Sequence, residues 1–578
     1  MDNSATKMEN SSQTSIKVTR INRAKILMLI IVIILSVAIA SYFNSCCPPS
    51  AKHDEDSSIV ASIKQACNNT RNSLLCFATL TSSTHPGNAT SFRHLLEISL
   101  HEASSLAVDV RSHLSNLSHV QDLTTQNKNA FKDCLEMMDL TINELQQAMD
   151  HIDGFRVQAD WSYHNLKTLL SAAMTNENTC TEGFSEVNKS QSRNHKMLKN
   201  YVHGMLDPIS TILSNCLAII TWMEGRDKPK KPQSLISKTA KADEFPTWIE
   251  SGDRNLMEAI AKLSPNVTVA SDGTGDYRLI SEAVRMAPNR STSRYIIHVK
   301  TGLYNEGVRI TRDKTNIMLI GDGMNSTVIT GTRSVADGFT TFNSATLTVT
   351  GDKFLARDLT VVNTAGPQKH QAVAVRVTSN AAFYRCNFTS YQDTLYAHSL
   401  RQFYRECTIQ GTIDFIFGNA AAVFQNCRIL VRKPMLGQQN VITAQGRNDP
   451  NQNTGISIQN CVISAASGFT LADMKYYPTF IGRPWRNFSR TIVMKSYLGH
   501  MIQPQGWCRW NQYSNLDTVE YIEYMNFGPG SNTTQRVKWG GYRNDCSDEM
   551  VKPFTMGEFL LGVDGWFETT GFPLSQGF

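Results

Sequence analysis

Two aspartates and two glutamines recur at one spacing in the second half of this chain of 578 residues. Asp393 and Asp414 are 21 residues apart, as are Gln371 and Gln392. Two carboxyl groups held close together cannot both ionise cheaply, so one tends to keep a proton while the other is charged. That arrangement supplies an acid beside a nucleophile or a base. The spacing therefore predicts a groove in which two carboxyl groups and two neutral amides converge.

The surroundings of Asp414 add a condition to this chemistry. It lies in an apolar run, Gly411-Thr-Ile-Asp-Phe-Ile-Phe-Gly418, and an apolar setting raises the pKa of a carboxyl group unless a cation opposes it. Arg483, in the segment Gly482-Arg-Pro-Trp485, is the candidate cation. We therefore expect the fold to bring Arg483 to Asp414.

Other kinds of site find little support. The sequence has no G-x-S-x-G segment for a serine elbow and no H-E-x-x-H for a zinc protease. Its 13 cysteines form no C-x-x-C pair and no zinc-like Cys/His spacing, which argues against a metal scaffold. A net charge of +6, from 56 basic and 50 acidic residues, is too small for a dedicated nucleic-acid binder. Spacing alone predicts packing rather than sugar binding for Trp485, Trp507 and Trp510.

The elements that must position the four residues are short β-rich runs, which begin near residue 265 and are separated by Gly, Asn and Asp. No long amphipathic helix lies between most of them. This excludes a doubly wound sheet and leaves a sandwich, a barrel or a solenoid. The predicted strands are Tyr295–Val299, Ile317–Ile320, Thr346–Thr350, Ala372–Val377, Phe403–Ile409, Val423–Val431, Ile456–Ile463 and Thr491–Met494.

A repeat decides among these three folds. Similar segments end at Cys386, Cys407, Cys427 and Cys461, at steps of 21, 20 and 34 residues. A period near 21 with short strands in each turn is typical of a parallel β-helix, in which every coil stacks on the one before. The longer step is then a coil that carries an inserted loop.

On a β-helix the predicted site residues come together. Gln371, then Gln392 with Asp393, then Asp414 lie on one face in three successive coils, because their spacing equals the period. Arg483 follows about three coils beyond Asp414.

The first half of the chain predicts helices instead. Between residues 58 and 224 apolar positions recur at intervals of three and four, as at Phe131, Leu135, Met138 and Ile142. Gly and Pro breaks are few before Pro208. We therefore predict a plain helical bundle.

Cysteine spacing leaves the disulfides open. Four cysteines stand out in the helical half, and these four allow three pairings: Cys67, Cys76, Cys134 and Cys180. In the β-rich half, Cys407 is one coil from Cys427 and also one coil from Cys386, so the period does not select its partner.

The chain divides into four predicted regions. Residues 1–57 contain a leader, an uncharged apolar run at 26–43 and a stalk; residues 58–224 form the bundle; residues 225–259 are a basic linker that contains Pro; and residues 260–578 are β-rich. The apolar run is either a long signal peptide or a short membrane anchor behind a basic, cytoplasmic flank. Both alternatives route the rest of the chain into the secretory pathway, where we expect several of its N-x-S/T sequons to be glycosylated.

Five ordered segments of the β-rich half resemble plant pectin methylesterases. They are Gly302-Leu-Tyr304-Asn-Glu306, Gln371-Ala-Val-Ala-Val-Arg-Val377, Tyr391-Gln-Asp-Thr-Leu-Tyr396, Asp414-Phe-Ile-Phe-Gly418 and Gly482-Arg-Pro-Trp485. The resemblance implies a right-handed parallel β-helix with its groove outside. It also implies hydrolysis of galacturonate methyl esters in pectin to acidic pectin and methanol, without a metal ion or other cofactor.

The resemblance assigns roles by position. Asp414 is the nucleophile, which attacks the ester carbonyl and forms an acyl-enzyme. Gln371 and Gln392 donate hydrogen bonds to the oxyanion. Asp393 is the acid that protonates departing methanol and then the base for the incoming water. Arg483 holds Asp414 ionised and oriented.

The resemblance also assigns substrate contacts and a disulfide. The positions that match substrate contacts are Thr341, Gln371, Arg483 and Trp485. In the β-rich half, Cys407 is implied to pair with Cys427.

The helical half resembles the pectin methylesterase inhibitor domain, a four-helix bundle with two disulfides. This implies the pairs Cys67–Cys76 and Cys134–Cys180. The two halves together resemble a precursor that is secreted to the cell wall, in which the bundle restrains the enzyme until a processing protease cuts the linker. The candidate cleavage positions are Lys228, Lys230, Lys231 and Arg254.

Two other functions are consistent with part of the sequence. Paired carboxylates also suit a glycosidase or a lyase. A non-catalytic inhibitor or wall-binding protein would act through residues 58–224 alone. For the favoured esterase the expected partners are pectin, the chain's own helical half and a processing protease, with no nucleic acid and with membrane contact only through residues 26–43.

Overall fold

The computed structural model of the chain describes residues 53–83, 91–120, 123–153, 159–185, 192–227, 264–560, 570 and 572–578. The predicted apolar run at 26–43 and the candidate cleavage positions Lys228, Lys230, Lys231 and Arg254 lie outside these residues, as do the sequons at Asn88 and Asn188. The division into four regions stays a prediction.

Helices account for the described residues before 228. They are α1 (His53–Cys67), α2 (Ser73–Ser83), α3 (Phe92–Ser118), α4 (Thr125–Asp153), α5 (Ala159–Gly183) and α6 (Ser192–Asp227). The four long helices α3–α6, called here the helical bundle, pack against one another around a common apolar core. Their apolar positions recur at three and four, as in the buried stripe of α3 at Leu96, Leu100, Ala103, Ala107, Val110 and Leu114. The predicted bundle is confirmed.

Two disulfides cross-link the helical half. Cys67 is joined to Cys76, and Cys134 on α4 is joined to Cys180 on α5, as the resemblance implies. Within α6, Met197–Arg226 is long and apolar enough to cross a membrane, but 61% of its most apolar window is buried in the protein. That burial suits the core helix of a bundle, so α6 is weak evidence for a membrane span.

Parallel strands wind from residue 267 into a right-handed parallel β-helix with three sheets. The first sheet, with 11 strands among the described residues, contains Val267–Val269 (β1), Tyr295–Val299 (β2), Ile317–Gly321 (β5), Phe354–Arg357 (β8), Ala381–Tyr384 (β11), Arg401–Arg405 (β14), Ala421–Gln425 (β17), Gly455–Gln459 (β20), Arg490–Met494 (β23), Glu520–Tyr524 (β25) and Tyr542–Arg543 (β26). The second contains Val308–Ile310 (β4), Leu347–Val349 (β7), Val375–Thr378 (β10), Leu395–Ser399 (β13), Ile416–Gly418 (β16), Asn440–Gln445 (β19) and Thr479–Gly482 (β22). The third contains Gly302–Asn305 (β3), Thr327–Gly331 (β6), Thr360–Asn363 (β9), Asn387–Thr389 (β12), Thr408–Gly411 (β15), Arg428–Val431 (β18), Val462–Ala465 (β21) and Tyr497–Leu498 (β24).

Three predicted strands are wrong in extent. The runs 403–409, 423–431 and 456–463 each form two strands, one in the first sheet and one in the third. The chain turns between them at a residue in the left-handed region: Glu406 (φ 52), Asn426 (φ 55) and Asn460 (φ 53). One left-handed residue is enough to break a strand, so a continuous β-rich run conceals a corner of the β-helix.

The inside of the β-helix is filled by apolar side chains from all three sheets. In the second sheet the inward positions are Val308 and Ile310, Leu347 and Val349, and Val375 and Val377, and every one of them is fully buried. Because side chains alternate along a strand, the residues between them point to the outer face. A short helix, α7 (Ile280–Met286), contributes buried side chains to the same core. The carboxylate of Glu306 accepts the backbone N–H groups of Ile280 and Ser281 at its start, at 2.7 and 2.9 Å. Later helices are α8 (Leu471–Met474), α9 (Asp548–Val551) and α10 (Met556–Phe559).

The cysteines of the β-helix form the predicted ladder but not the implied disulfide. Cys386, Cys407, Cys427 and Cys461 follow the corner in four successive coils, and all four are buried free thiols. The implied pair Cys407–Cys427 is therefore wrong for this structure. The ladder gives a physical reason: in-register stacking places Cys407 between two equivalent thiols, so the coil geometry selects neither partner.

Candidate active site

The predicted site residues lie where the chain enters the second sheet. Gln371 and Gln392 face each other as a parallel bridge just before β10 and β13, and the backbone N–H of Asp393 donates to the carbonyl of Ile413 at 3.0 Å. Asp414 follows, two residues before β16. The prediction that three successive coils bring these residues to one face is confirmed.

Asp393 and Asp414 both have left-handed backbones, with φ of 63° and 49°. A non-glycine residue in this region costs about 1–2 kcal/mol, and aspartate tolerates it better than most residues. Such conformations concentrate at functional sites because the surrounding fold must impose them. Here the coil turns both carboxyl groups into the same cavity.

Arg483 meets Asp414 as predicted. Its Nε and Nη2 atoms donate to Oδ1 and Oδ2 of Asp414, at 2.8 and 2.5 Å. Arg483 follows β22, and β22 pairs with β19, which pairs with β16, so it lies two coils beyond Asp414. The expected separation of about three coils is wrong, because the intervening coils carry the loop before β19 and the segment with α8.

Burial and the arginine act in opposite senses on Asp414. The residue is 4% exposed, and burial raises the pKa of its carboxyl group above the usual value, while the charge and hydrogen bonds of Arg483 oppose that rise. A guanidinium that donates to both oxygens fits the carboxylate form, because each oxygen then acts only as an acceptor. The second lone pair of each oxygen stays available to a reacting group.

The site residues line a cavity of about 370 Å³. Every residue predicted to act in catalysis or to contact substrate is in its lining: Thr341, Gln371, Gln392, Asp393, Asp414, Arg483 and Trp485. The side-chain amides of Gln371 and Gln392 make no hydrogen bond to any described residue, so they can donate to a ligand. Among the residues that the structure covers, no three His, Cys, Asp or Glu side chains are grouped as a metal ion requires.

Aromatic rings that the sequence analysis did not assign form much of the wall. Tyr396 and Phe417 stack at 4.2 Å between ring centroids, and Phe342 meets Tyr396 edge-on at 6.5 Å. Trp510 lies 4.3 Å from the guanidinium of Arg483, so its predicted role in packing omits a contact with the site. Tyr396 and Phe417 occur inside two of the segments that resemble pectin methylesterases. Each follows an inward core residue on its strand, and this alternation could have indicated that the two rings face the groove.

The helical bundle supplies the remaining wall of the cavity. Residues 62–578 form one compact unit, in which the last turn of α5 reaches the site with Thr179, Glu182 and Gly183. Thr179 Oγ1 is 2.9 Å from Nε2 of His398, and Glu182 forms an ion pair with Arg486. No motif or spacing in the sequence indicates this contact.

Further contacts tie the bundle to the outer face of the second sheet. Asp133 on α4 accepts hydrogen bonds from Thr340 and Asn343, and Ser214 on α6 donates to Asp449 at 2.6 Å. Apolar residues of the two halves form one buried cluster, which includes from the β-helix Phe342, Ala345, Val373, Tyr396, Phe417 and Ala444. The bundle thus covers side chains that would otherwise line an open groove.

Two family profiles match this chain. The Pectinesterase profile matches residues 266–563, and the profile named plant invertase/pectin methylesterase inhibitor matches residues 61–219. The chain is 43% identical to "Pectinesterase 2" of Arabidopsis thaliana over 534 residues, which cover 89% of each chain. It is 43% identical to "Pectinesterase/pectinesterase inhibitor U1" of Solanum lycopersicum over 537 residues, or 90% of each.

The chain is also similar to solved structures of pectin methylesterases. The pectin methylesterase from carrot superposes with a TM-score of 0.54 and 51% sequence identity. The match covers 55% of this chain and 100% of the carrot chain. The carrot protein therefore corresponds to a β-helix without a helical bundle.

Proposed function

The chain belongs to the pectinesterase family and hydrolyses the methyl esters of pectin, and we propose that it does so through an acyl-enzyme on Asp414 while its own helical bundle blocks the site. The observation that carries the proposal is the cavity itself. One wall contains the carboxylate of Asp414, hydrogen-bonded through both oxygens to Arg483, and another wall is formed by the end of α5.

Acylation begins at the carboxylate of Asp414. One oxygen, through the lone pair that Arg483 leaves unused, attacks the carbonyl carbon of the methyl ester and forms a C–O bond. The carbonyl oxygen becomes an oxyanion, to which the amides of Gln371 and Gln392 donate. Collapse of this intermediate breaks the bond to methoxide, which takes a proton from Asp393 and departs as methanol. The product on the enzyme is a mixed anhydride.

Deacylation restores every group. Asp393, now a carboxylate, takes a proton from a water molecule as the water oxygen attacks the galacturonyl carbonyl of the anhydride. The C–O bond to Asp414 breaks, Asp414 leaves as a carboxylate paired with Arg483, and the galacturonic acid is released. Trp485 and Thr341 line the same cavity and would hold the sugar.

Hydroxylamine distinguishes the acyl-enzyme from direct attack by water. If methanol leaves before water enters, hydroxylamine will divert the acyl group to a galacturonyl hydroxamate while the rate of methanol release stays constant. If Asp414 instead activates water for direct attack, hydroxamate will appear only with a matching rise in methanol release. Asp414→Asn should abolish both products, and Asp545→Asn, an exposed aspartate outside the cavity, should leave both unchanged.

The contacts of α4 and α5 support autoinhibition. A polymer such as pectin needs an open groove along the second sheet, and the bundle occupies that face with Asp133, Thr179 and Glu182. The shared apolar cluster removes further groove residues from water, and such burial contributes roughly 25 cal/mol per Å² of apolar surface. Release therefore requires separation of the two halves, and a protease that cuts the linker would favour it.

Autoinhibition is tested in the full luminal chain from residue 48. Removing two interface carboxylates in the double variant Asp133→Ala and Glu182→Ala should raise methanol release at least about tenfold, because each leaves a partner on the β-helix unpaired. The matched control is Glu97→Ala, since Glu97 pairs with Arg93 and His94 within α3. Equal activity of the full chain and of residues 264–578 would contradict the proposal.

Secretion to the cell wall belongs to the same proposal. The two disulfides of the helical half suit an oxidising compartment, and the wall is where the polymer substrate lies. The processing protease and the role of residues 26–43 stay predictions. N-terminal sequencing of the secreted protein would test both.

A further inference from the structure

A second charged cluster lies on the outer face of the second sheet, away from the catalytic aspartates. Strand pairing places Arg309 on β4, Thr348 on β7 and Arg376 on β10 in one row. The same row continues through Tyr396 and Phe417, which line the catalytic cavity. The two arginines therefore lie along the same groove as the reacting ester.

A single carboxylate of the helical bundle bridges these arginines. Glu136 on α4 accepts from Nη2 of Arg309 at 2.9 Å through one oxygen and from Nη2 of Arg376 at 3.0 Å through the other. Burial opposes ionisation of Glu136, but the two cations together lower the pKa of its carboxyl group below the usual value. The bound group is thus a carboxylate held by two guanidinium groups.

The positive charge of Arg376 is balanced by carboxylates that lie outside the β-helix. Its side chain is fully buried, its guanidinium stacks at 3.3 Å over the ring of Phe342, and its Nε and Nη1 atoms have no hydrogen-bond partner among the described residues. The carboxylates that act on it most strongly, Glu136 and Asp133, both belong to the helical bundle. When the bundle leaves, a buried charge of this kind needs another anion or water.

The groove has room for such an anion. A cavity of about 560 Å³ lies beside Arg309, between α4 and the ends of β4 and β7. Besides Arg309 and Glu136, its charged lining residues are the cations Lys132 and Arg312 and the carboxylates Asp139 and Asp313. Neighbouring strands are about 4.8 Å apart, so β10 lies roughly 10 Å and β4 roughly 19 Å from the strand that follows Asp414. An extended polymer in the groove would pass over both positions.

We propose that Arg309 and Arg376 form a subsite for a free galacturonate carboxylate of de-esterified pectin, and that Glu136 occupies this subsite in the full chain. The proposal rests on the proposed function, because hydrolysis of each ester creates the carboxylate that the subsite binds. It makes Glu136 a mimic of the product. It also makes pectin with de-esterified stretches a better substrate than fully methylated pectin of the same length.

The test uses the β-helix alone, residues 264–578, which encloses its own core and corresponds to the whole carrot protein. The inhibition constant of fully de-esterified oligogalacturonate is measured against hydrolysis of a fully methylated oligomer. Arg309→Gln should raise this constant about tenfold, the equivalent of ~1.4 kcal/mol, and Arg376→Gln should raise it at least as much. The control is Arg428→Gln, an exposed arginine on the third sheet, which should not change it.

Failure of the proposed subsite and failure of the proposed esterase activity would give different results. An unchanged inhibition constant in Arg309→Gln, whose side chain is 36% exposed and whose loss the fold should tolerate, would overturn the subsite. No methanol from the unsubstituted β-helix would instead contradict the proposed function. In the wild type the constant should rise steeply with added salt, and Arg309→Gln should flatten that rise, since one ion pair is lost.

Discussion

Asp414 is a buried carboxylate that depends on one cation. Burial raises the pKa of its carboxyl group, and Arg483 opposes that rise through two hydrogen bonds to its two oxygens. In the proposed mechanism Asp414 attacks as a carboxylate, so Arg483 would set both the charge and the direction of the attacking oxygen. The chemistry of the site is therefore sensitive to the shape of the guanidinium as well as to its charge.

Replacing Arg483 by Lys should show this dependence. An ammonium keeps the charge but cannot donate two parallel hydrogen bonds, so we expect kcat to fall about 10–100-fold, and Arg483→Gln to lower it by about 10³-fold or more. The pKa of Asp414 rises when the cation is weakened or lost, so the acidic limb of the pH–rate profile should move to higher pH in both variants. Added guanidinium should restore part of the activity of Arg483→Gln. An unshifted acidic limb would contradict the role given to Arg483.

The two glutamines should act on kcat rather than on binding. In the proposed mechanism their amides donate to the oxyanion, which forms only after attack on the ester. Gln371→Ala and Gln392→Ala should then each lower kcat by about 10²–10³-fold with little change in KM. Steady-state kinetics of the released β-helix measure this directly. A rise in KM with kcat unchanged would mean that they bind substrate only.

The sequence located site residues correctly where their spacing along the chain equals the length of one coil. The period of 21 residues was enough to place both aspartates and both glutamines on one face, because parallel coils stack in register. It was not enough for Arg483, since loops of unequal length separate its coil from that of Asp414. For Trp510 the sequence predicted only packing, because its place beside Arg483 depends on a segment outside the regular strands.

Among the elements, the corners of the β-helix are its most constrained parts. The residues that turn from the first sheet to the third are left-handed in coil after coil: Asp358, Arg385, Glu406, Asn426, Asn460, Lys495 and Met525. Only the asparagines and the aspartate are suited to this backbone. The corner positions contain no glycine and share no single residue type, so the sequence did not indicate where the corners lie.

Met525 offers a test of the corner. It has a φ of 50° and is 66% exposed, so Met525→Gly relieves the left-handed strain of about 1–2 kcal/mol while it removes little packing. Glycine loses about 0.5–1 kcal/mol through its freedom in the unfolded chain, so the free energy of unfolding should rise by roughly 0.5–1 kcal/mol. Leu303→Gly, in the exposed part of β3, should lower it instead. Denaturant unfolding of the β-helix measures both, and a loss of stability in Met525→Gly would refute the strain.

At the scale of the whole molecule, one chain carries an enzyme and the surface that covers it. The sequence predicted both halves from their different periodicities, but it could not predict where they meet. The contacts join residues that are about 200 positions apart, such as Asp133 with Thr340 and Glu136 with Arg376. No spacing rule relates a helix face to a sheet that folds separately, so this arrangement had to come from the structure.

The bundle also contains acids that link its stability to pH. Glu144 on α4 is fully buried, with Asn176 donating to it at 3.0 Å and Arg312 of the β-helix near it, and burial raises the pKa of its carboxyl group to about 8. Glu177 on α5 is likewise buried beside Ser210 and Asp207, and its pKa is raised well above the usual value. In the unfolded chain both would titrate near pH 4.3.

The sign of the linkage follows from those shifts. Between about pH 4.5 and 8 the folded bundle binds more protons than the unfolded chain. The bundle therefore has its full stability below this range and loses stability as the pH rises through it. Each of the two groups contributes a loss of at most about 1.4 kcal/mol per pH unit. Under the proposed autoinhibition, a less stable bundle blocks the site less. The activity of the full chain, divided by that of residues 264–578 at the same pH, should then rise from pH 5 to pH 8. Glu144→Gln should flatten the rise because its amide does not ionise, whereas Glu97→Gln, on the partly exposed side of α3, should not. If the ratio in the wild type does not change with pH, the interface contacts alone determine how strongly the bundle blocks the active site.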